Sequence, residues 1–190
     1  SLGYEFLKKL DILGKITLKI NSLGDTNSRV NYRKVLIEYL NDYRSKLSED
    51  SIKRLSENPL RILDSKNAVD QKILIDAPNV IDYLNEKSKE RFENVCEGLN
   101  ILKIKYEIDK NLVRGLDYYC HTAFEFMTDE LGAQGTVLAG GRYDGLSKML
   151  GGVEVPGVGW AAGVERLALM VQSEYINSPD IVLMAQTEVY

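Results

Sequence analysis

The 190-residue chain predicts an α+β fold, in which part of an antiparallel sheet with flanking helices carries a small helical domain. Three observations lead there. From about residue 27 to residue 103 apolar residues recur at three- and four-residue steps, beyond that the period changes to two, and glycines gather between the later apolar runs. Helices and strands that segregate along a chain in this way build separate layers, not a parallel sheet with crossover helices.

Taken in order, "GYEFLKKLDIL" reads as a short amphipathic helix and "ITLKINS" as a strand. After "LGDTNS", where Asp25, Thr26 and Asn27 offer capping oxygens, Val30, Tyr32, Val35, Leu36, Tyr39, Leu40, Tyr43 and Leu47 mark a long helix with one buried stripe. A second helix is expected over 49–55. Pro59 breaks the pattern, and short helices are expected over 67–75 and 79–85 around Pro78. Phe92, Val95, Cys96, Leu99 and Leu102 mark another amphipathic helix from 88 to 102. Then "YEI", "LDYYCHTAFEFM" and "TVLAGG" read as strands, "GRYDGLSKML" and "ERLALMVQSE" as helices after glycine-rich bends, and "DIVLMAQTEV" as a further strand. The boundaries that follow are 1–26 (helix and strand), 27–103 (helical domain), 104–175 (sheet with its helices) and 176–190 (linker). The 15–21 strand is expected in the same antiparallel sheet as 117–126.

Composition removes several classes. No apolar run approaches the roughly 18 residues of a membrane span, and "SLGYEFLKKL" lacks the parts of a secretory signal. Two cysteines, Cys96 and Cys120, give no disulfide framework and suit a reducing cytoplasm; with one histidine they make no usual structural zinc site. The net charge of −4 argues against a generally basic nucleic-acid binder, but its distribution is uneven. Residues 1–110 hold 20 Lys/Arg against 18 Asp/Glu, whereas residues 111–190 hold 4 against 10. Three of those four cations, Arg114, Arg142 and Arg166, lie within or beside glycine-containing runs.

That association asks for a reason. In a strand over 117–126, Tyr119, His121, Ala123 and Glu125 share one face, while Tyr118, Cys120, Thr122, Phe124 and Phe126 share the other and look like core. The first face offers a phenol and a carboxylate suited to a small polar ligand. Arg114 precedes it, with Gly115 allowing close approach of a ligand, and its permanently charged fork can grip two oxygens of a phosphate or carboxylate. Spacing by itself favours a plainer role, pairing with Asp117 or another surface acid. "AGGRYDGL" (139–146) repeats the pattern with Tyr143, although alone it is a turn into a helix. "PGVGWAAGVERL" (156–167) offers a small-residue surface ahead of Arg166; it is neither a Walker A loop nor a dinucleotide fingerprint, and alone it is a tight strand–helix corner.

Together the three stretches resemble one family. "LVRGLDYY" with "TAFEF" is similar to the first histidine-specific signature of histidyl-tRNA synthetases, "AGGRYDGL" to the second, and "GVGWAAGVERL" to motif 3 of class II aminoacyl-tRNA synthetases. "TLKINSLGD", "NYRKVLIEYL" and "NPLRILDSKN" resemble the insertion domain of the bacterial-type enzyme. The resemblance implies the class II antiparallel sheet with a helical insertion domain at 27–103. It implies activation of L-histidine by ATP with substrate-associated Mg2+, transfer to tRNA(His), no protein-bound metal, a homodimeric parent and a cytoplasmic location. Arg114 would contact the histidine carboxylate and the ATP α-phosphate, and Arg166 would clamp the phosphate tail. Tyr118, Tyr119 and Tyr143 would wall the histidine pocket, lined also by Gly159, Trp160 and Ala161. His121 falls at a variable position of the signature and is expected to be incidental.

Nothing here resembles motif 1 or motif 2, and an anticodon-binding domain is at best begun at Asp180. The resemblance therefore implies the middle of a longer synthetase, inactive as a 190-residue piece. Two other readings stand beside it. One is the synthetase-like regulatory subunit of ATP phosphoribosyltransferase, disfavoured by the intact "RGLDYY" and the long helical insertion. The other is a noncatalytic tRNA-binding module, in which Arg29, Arg33 and Lys34 meet phosphates; Glu38 and Asp42 on the same helix favour a solvated charged face instead.

Overall fold

The computed structural model describes residues 1–116, 118–132 and 135–171. The strand expected at 180–189, the linker at 176–190 and the end of the last helix lie outside them, as does Asp117. Among the described residues no helix is long and apolar enough to cross a membrane, and Cys96 and Cys120 are both free thiols.

The chain opens with α1 (Leu2–Lys9), whose last turn carries Lys8 and Lys9 where positive charge complements the helix dipole. After a 3-10 turn at Leu13–Lys15, β1 (Thr17–Ser22) buries Leu18 and Ile20. Asn21 and Ser22 are buried as well. The Asn21 amide donates to the carbonyls of Leu112 (3.0 Å) and Lys110 (3.3 Å), so this strand fixes the segment that delivers Arg114.

Each helix of the next section begins on a side-chain cap of the expected type. Asp25 accepts from the Ser28 N–H at the start of α2 (Thr26–Asp42), Ser48 from Ser51 at α3 (Glu49–Glu57), Asn67 from Val69 at α4 (Ala68–Leu74), and Asn85 from Ser88 at α5 (Glu86–Ile101). Ser28, Tyr32, Leu36 and Leu40 form the buried stripe of α2 at strict four-residue steps, while Val30 lies exposed. Two 3-10 turns, Pro59–Ile62 and Val80–Tyr83, replace helix where prolines interrupt it. Tyr32, Leu36, Leu40, Leu55, Ile62 and Leu74 belong to one core. Phe92 of α5 belongs to another, shared with Leu7, Ile20, Phe126, Leu138 and Leu167, so α5 packs with the sheet and the helical core ends before it.

The sheet has five strands in the order β2-β1-β3-β4-β5, adding β2 (Glu107–Ile108), β3 (Cys120–Met127), β4 (Thr136–Arg142) and β5 (Val158–Ala162). As expected, β1 lies in one sheet with the 120–127 strand, antiparallel from Thr17↔Met127 to Ser22↔Thr122. The sheet is not wholly antiparallel, however. Lys19↔Glu107 and Ile20↔Ile108 pair in parallel, because the helical section between β1 and β2 is a crossover long enough to restart the chain at the same end.

Two further differences concern glycine-rich stretches. β4 runs on to Arg142, so the helix expected over 141–150 shrinks to α6 (Leu146–Met149). "VGWAA", read as a small-residue surface, is the edge strand β5, paired Gly140↔Trp160 and Gly141↔Gly159. A side chain at Gly140 would overlap the Gly159 carbonyl, so the glycine is what lets these strands approach. α7 (Val164–Met170) follows and returns Leu167 and Met170 to the core.

Candidate active site

One face of the sheet is core and the other carries polar groups. Phe124 and Phe126 pack with Leu7 and Leu138, while Ala123 joins Leu23 and Leu112 in a small third cluster that Tyr119 covers. Alternation along β3 therefore holds from Ala123 onward. Before it, the register with β4 slips between Cys120 and Ala123, and His121 adopts a left-handed backbone (φ 49°). This bulge takes Cys120 and His121 out of the expected face pattern.

Arg114 lies across the polar face. Its Nη1 donates to Glu125 Oε1 at 2.7 Å, and its Nη2 to the carbonyls of Phe124 (2.5 Å) and Gly140 (3.1 Å). The partner acid is therefore Glu125, eleven residues away on the adjoining strand, and it is no surface group: the side chains are 12% and 20% exposed. Three of the five guanidinium N–H groups are engaged in this way, and the buried Nε–H has no partner among the described residues. The guanidinium also stands 5.8 Å from the centroid of the Tyr119 ring.

The tyrosines assemble beside it. Tyr118 and Tyr119 lie 4.8 Å apart, and both meet Tyr143 edge-on, at 6.1 and 5.9 Å between centroids. Burial, then the neighbouring Tyr118, push the Tyr119 phenol above its ordinary pKa against the pull of Arg114, so it stays protonated and can both donate and accept. Glycines make the room. A side chain at Gly159 would overlap the Tyr143 hydroxyl, and one at Gly141 would come within 3.0 Å of the Tyr119 ring.

Of the other expected site residues, Gly159 shares this face and Ala161, two residues on, follows it by strand alternation. Trp160 turns the opposite way and stacks on Phe6 at 5.6 Å, so only its backbone is available to the tyrosine side. Arg166 reaches back from α7, its Nη1 donating to the Thr136 carbonyl at 2.5 Å. Thr136 in turn donates its hydroxyl to Glu125 Oε2 at 2.9 Å. The two arginines are thus joined through one carboxylate and one threonine. Sequence reasoning placed Glu125 on the right face without its partner and did not single out Thr136; a threonine at a strand start carries no signal of its own.

Behind the tyrosines, Cys120, His121 and Asp144 bring possible ligand atoms within 4.8 Å of one another. The donor types suit zinc, but Asp144 is already committed, accepting from Arg142 Nε (2.8 Å) and from the Gly157 N–H (3.2 Å). Arg91 stands 3.8 Å from the same carboxylate. Burial, then Arg91, lower the His121 pKa, and burial raises that of Cys120. Two guanidinium groups thus already compensate the Asp144 carboxylate, and the cluster acts as a joint. The His121 N–H donates to the Gly24 carbonyl (2.8 Å) and its carbonyl accepts from Leu23 (2.6 Å).

Two hollows border the site. One of about 30 Å³, lined by Arg29, Tyr32, Val113, Arg114 and Tyr119, separates it from the helical section and has room for roughly one water. A polar cleft of about 320 Å³ lies along Lys19, Glu125 and Met127 on one side and Asp64, Lys66 and Gln71 on the other.

Comparison with known proteins adds to this geometry. Residues 31–167 match the family described as histidyl-tRNA synthetase. The chain is 54% identical over 179 residues to a histidine–tRNA ligase of Rhodospirillum rubrum, covering 94% of this chain and 43% of that protein. It is 56% identical over 170 residues to one of Rickettsia bellii, covering 89% and 41%. The crystal structure of apo histidyl-tRNA synthetase from S. aureus superposes with a TM-score of 0.67 at 36% identity, covering 89% of this chain and 41% of that one. The chain thus spans less than half the length of these relatives.

Proposed function

The chain belongs to the histidyl-tRNA synthetase family, and from that premise we propose that it supplies the histidine-binding wall and two arginines of an ATP-dependent histidine–tRNA ligase. The substrates of the full-length polypeptide would be L-histidine, ATP with its magnesium, and tRNA(His), with a homodimer as the working form. In the first step a carboxylate oxygen of histidine attacks the α-phosphorus of ATP, the bond to the bridging oxygen breaks, and pyrophosphate leaves. In the second, a tRNA hydroxyl attacks the activated carbonyl and AMP departs.

The observation that carries this reading is Arg114: a permanent charge, nearly buried, its Nε–H without a partner among the described residues, held beside three mutually touching tyrosines. A buried cation fixed before the substrate arrives stabilises charge that develops on the α-phosphate without reorganising. Tyr118, Tyr119 and Tyr143 supply flat walls for an imidazole, with hydroxyls that meet its donor and acceptor nitrogens. Gly159 and Ala161 keep the adjoining strand low, and Arg166 takes the phosphate tail. The sequence division into 1–26, 27–103 and 104–175 is proposed on the same basis, amended in that the insertion domain ends before α5, which goes with the sheet.

The test is histidine-dependent ATP–pyrophosphate exchange in the full-length polypeptide that carries this segment. Arg114→Ala is expected to lower the rate on the order of 100-fold, with Arg114→Lys giving little rescue because an ammonium does not reproduce the fork. Exchange at the parent rate in Arg114→Ala removes this residue from the mechanism.

A further inference from the structure

We propose that Glu125, acting with Thr136, is a positioning residue that couples Arg114 and Arg166 into one preorganised pair. The inference rests on the functional reading above, but concerns residues that touch no substrate in it. The carboxylate divides its two oxygens between two strands' worth of structure: Oε1 takes Arg114 at 2.7 Å and Oε2 takes the Thr136 hydroxyl at 2.9 Å. Thr136 offers its backbone carbonyl to Arg166 at 2.5 Å. Since Glu125 sits on β3 and Thr136 at the start of β4, where the β3–β4 register shifts between Phe126 and Met127, the link spans an irregular stretch that ladder hydrogen bonds alone hold less firmly.

Why should such a link matter to chemistry? Arginine side chains carry several rotatable bonds, and two cations that must meet the α-phosphate and the phosphate tail of one ATP need their separation fixed beforehand. Glu125 also neutralises Arg114 while the site waits, which permits a nearly buried guanidinium. A group acting in this way influences the rate more than ground-state binding, since misplacement of charge is felt most where charge develops.

The experiment uses the full-length polypeptide and the exchange assay with Glu125→Gln, Thr136→Val, Thr136→Ser and the Glu125→Gln/Thr136→Val double variant. Glu125→Gln is expected to lower kcat by about 10- to 100-fold with little change in the KM for ATP. Thr136→Val is expected to lose about fivefold, one hydrogen bond's worth, and Thr136→Ser, which keeps the hydroxyl, to recover most of it. The double variant should be no slower than Glu125→Gln alone, because both act through one path. Additive losses, an undiminished kcat in Glu125→Gln, or a raised KM at constant kcat would each overturn the inference, the last by showing that Glu125 binds substrate. If Glu125→Gln does not fold, the Thr136→Val and Thr136→Ser pair still decides: equal rates in the two sink the coupling. Loss of exchange in Arg114→Ala with normal Glu125→Gln overturns this inference alone, whereas unaffected Arg114→Ala overturns the functional reading beneath it.

Discussion

Arg29, in the first turn of α2, donates its Nη1 to the carbonyl of Tyr119 at 2.7 Å. The contact joins the helical section to the residue that contributes a ring to the tyrosine cluster, ninety positions later in the chain. A cation that looks like a surface charge in the sequence is therefore a fastening between two cores.

Arg29→Ala should detach that fastening. The expected cost is about 1.5–3 kcal/mol, the range for a hydrogen bond to a charged donor, read as a shift in the denaturant midpoint together with faster amide exchange around Leu23 and Tyr119. Unchanged exchange at those two residues would mean that the bond holds nothing.

Asp70 is buried and accepts from the hydroxyls of Ser48 (2.6 Å), Ser51 (2.6 Å) and Ser65 (2.7 Å) and from the Ser48 N–H (2.9 Å). Burial alone pushes its carboxyl up, but these donors outweigh it and leave the pKa below the ordinary 3.8. Because the folded value is depressed, this stabilisation is complete above the ordinary value and disappears as pH falls through the folded one. Asp70→Ala strands several buried donors and should cost on the order of 3 kcal/mol or more. Equal acid sensitivity of wild type and Asp70→Asn below about pH 4 contradicts the assignment.

His121 also resists protonation in the folded state, but there the charged form is the disfavoured one. Burial, then the Arg91 charge, set its folded pKa below the ordinary 6.5, so the unfolded chain binds the extra proton more readily. Stability should be full above that value and decline as pH falls from it toward the folded pKa. His121→Asn, whose side chain tolerates the left-handed backbone there, should flatten the stability profile as pH falls below about 6.5. Parallel wild-type and variant curves would refute this.

Gly140 and Gly159 stand on opposite faces of neighbouring strands and should fail differently. Gly140→Ala pushes a methyl into the Gly159 carbonyl and the Phe124 ring, and is expected to cost about 1–3 kcal/mol of stability as an overpacked core. Gly159→Ala meets the Tyr143 hydroxyl instead. It should leave the thermal midpoint nearly intact while weakening histidine use in the exchange assay by about tenfold or more. Matching stability losses in the two variants would show that the face assignment fails.

The sequence by itself determined the elements whose signals are local. Asp25, Ser48, Asn67 and Asn85 begin helices because a side-chain oxygen beside free N–H groups needs nothing from the rest of the chain. The alternation of "ITLKINS" and "TAFEF" announced β1 and β3, and three motifs with arginines and glycines announced the family, because spacing along the chain preserves them. What only the tertiary structure decided are relations between distant positions. β5 carries glycine and alanine where strands usually carry bulk, so its propensity was silent and its pairing with β4 made it a strand. α5 continued the helical period of 27–103, yet Phe92 joined the sheet core, since periodicity says that a face is buried and not against what. Trp160 looked like pocket lining until the register of β5 turned it toward Phe6. Arg114 found Glu125, and Glu125 found Thr136, through strand pairing that a linear spacing does not encode, because hydrogen bonds are made across strands and the chain order is kept along them.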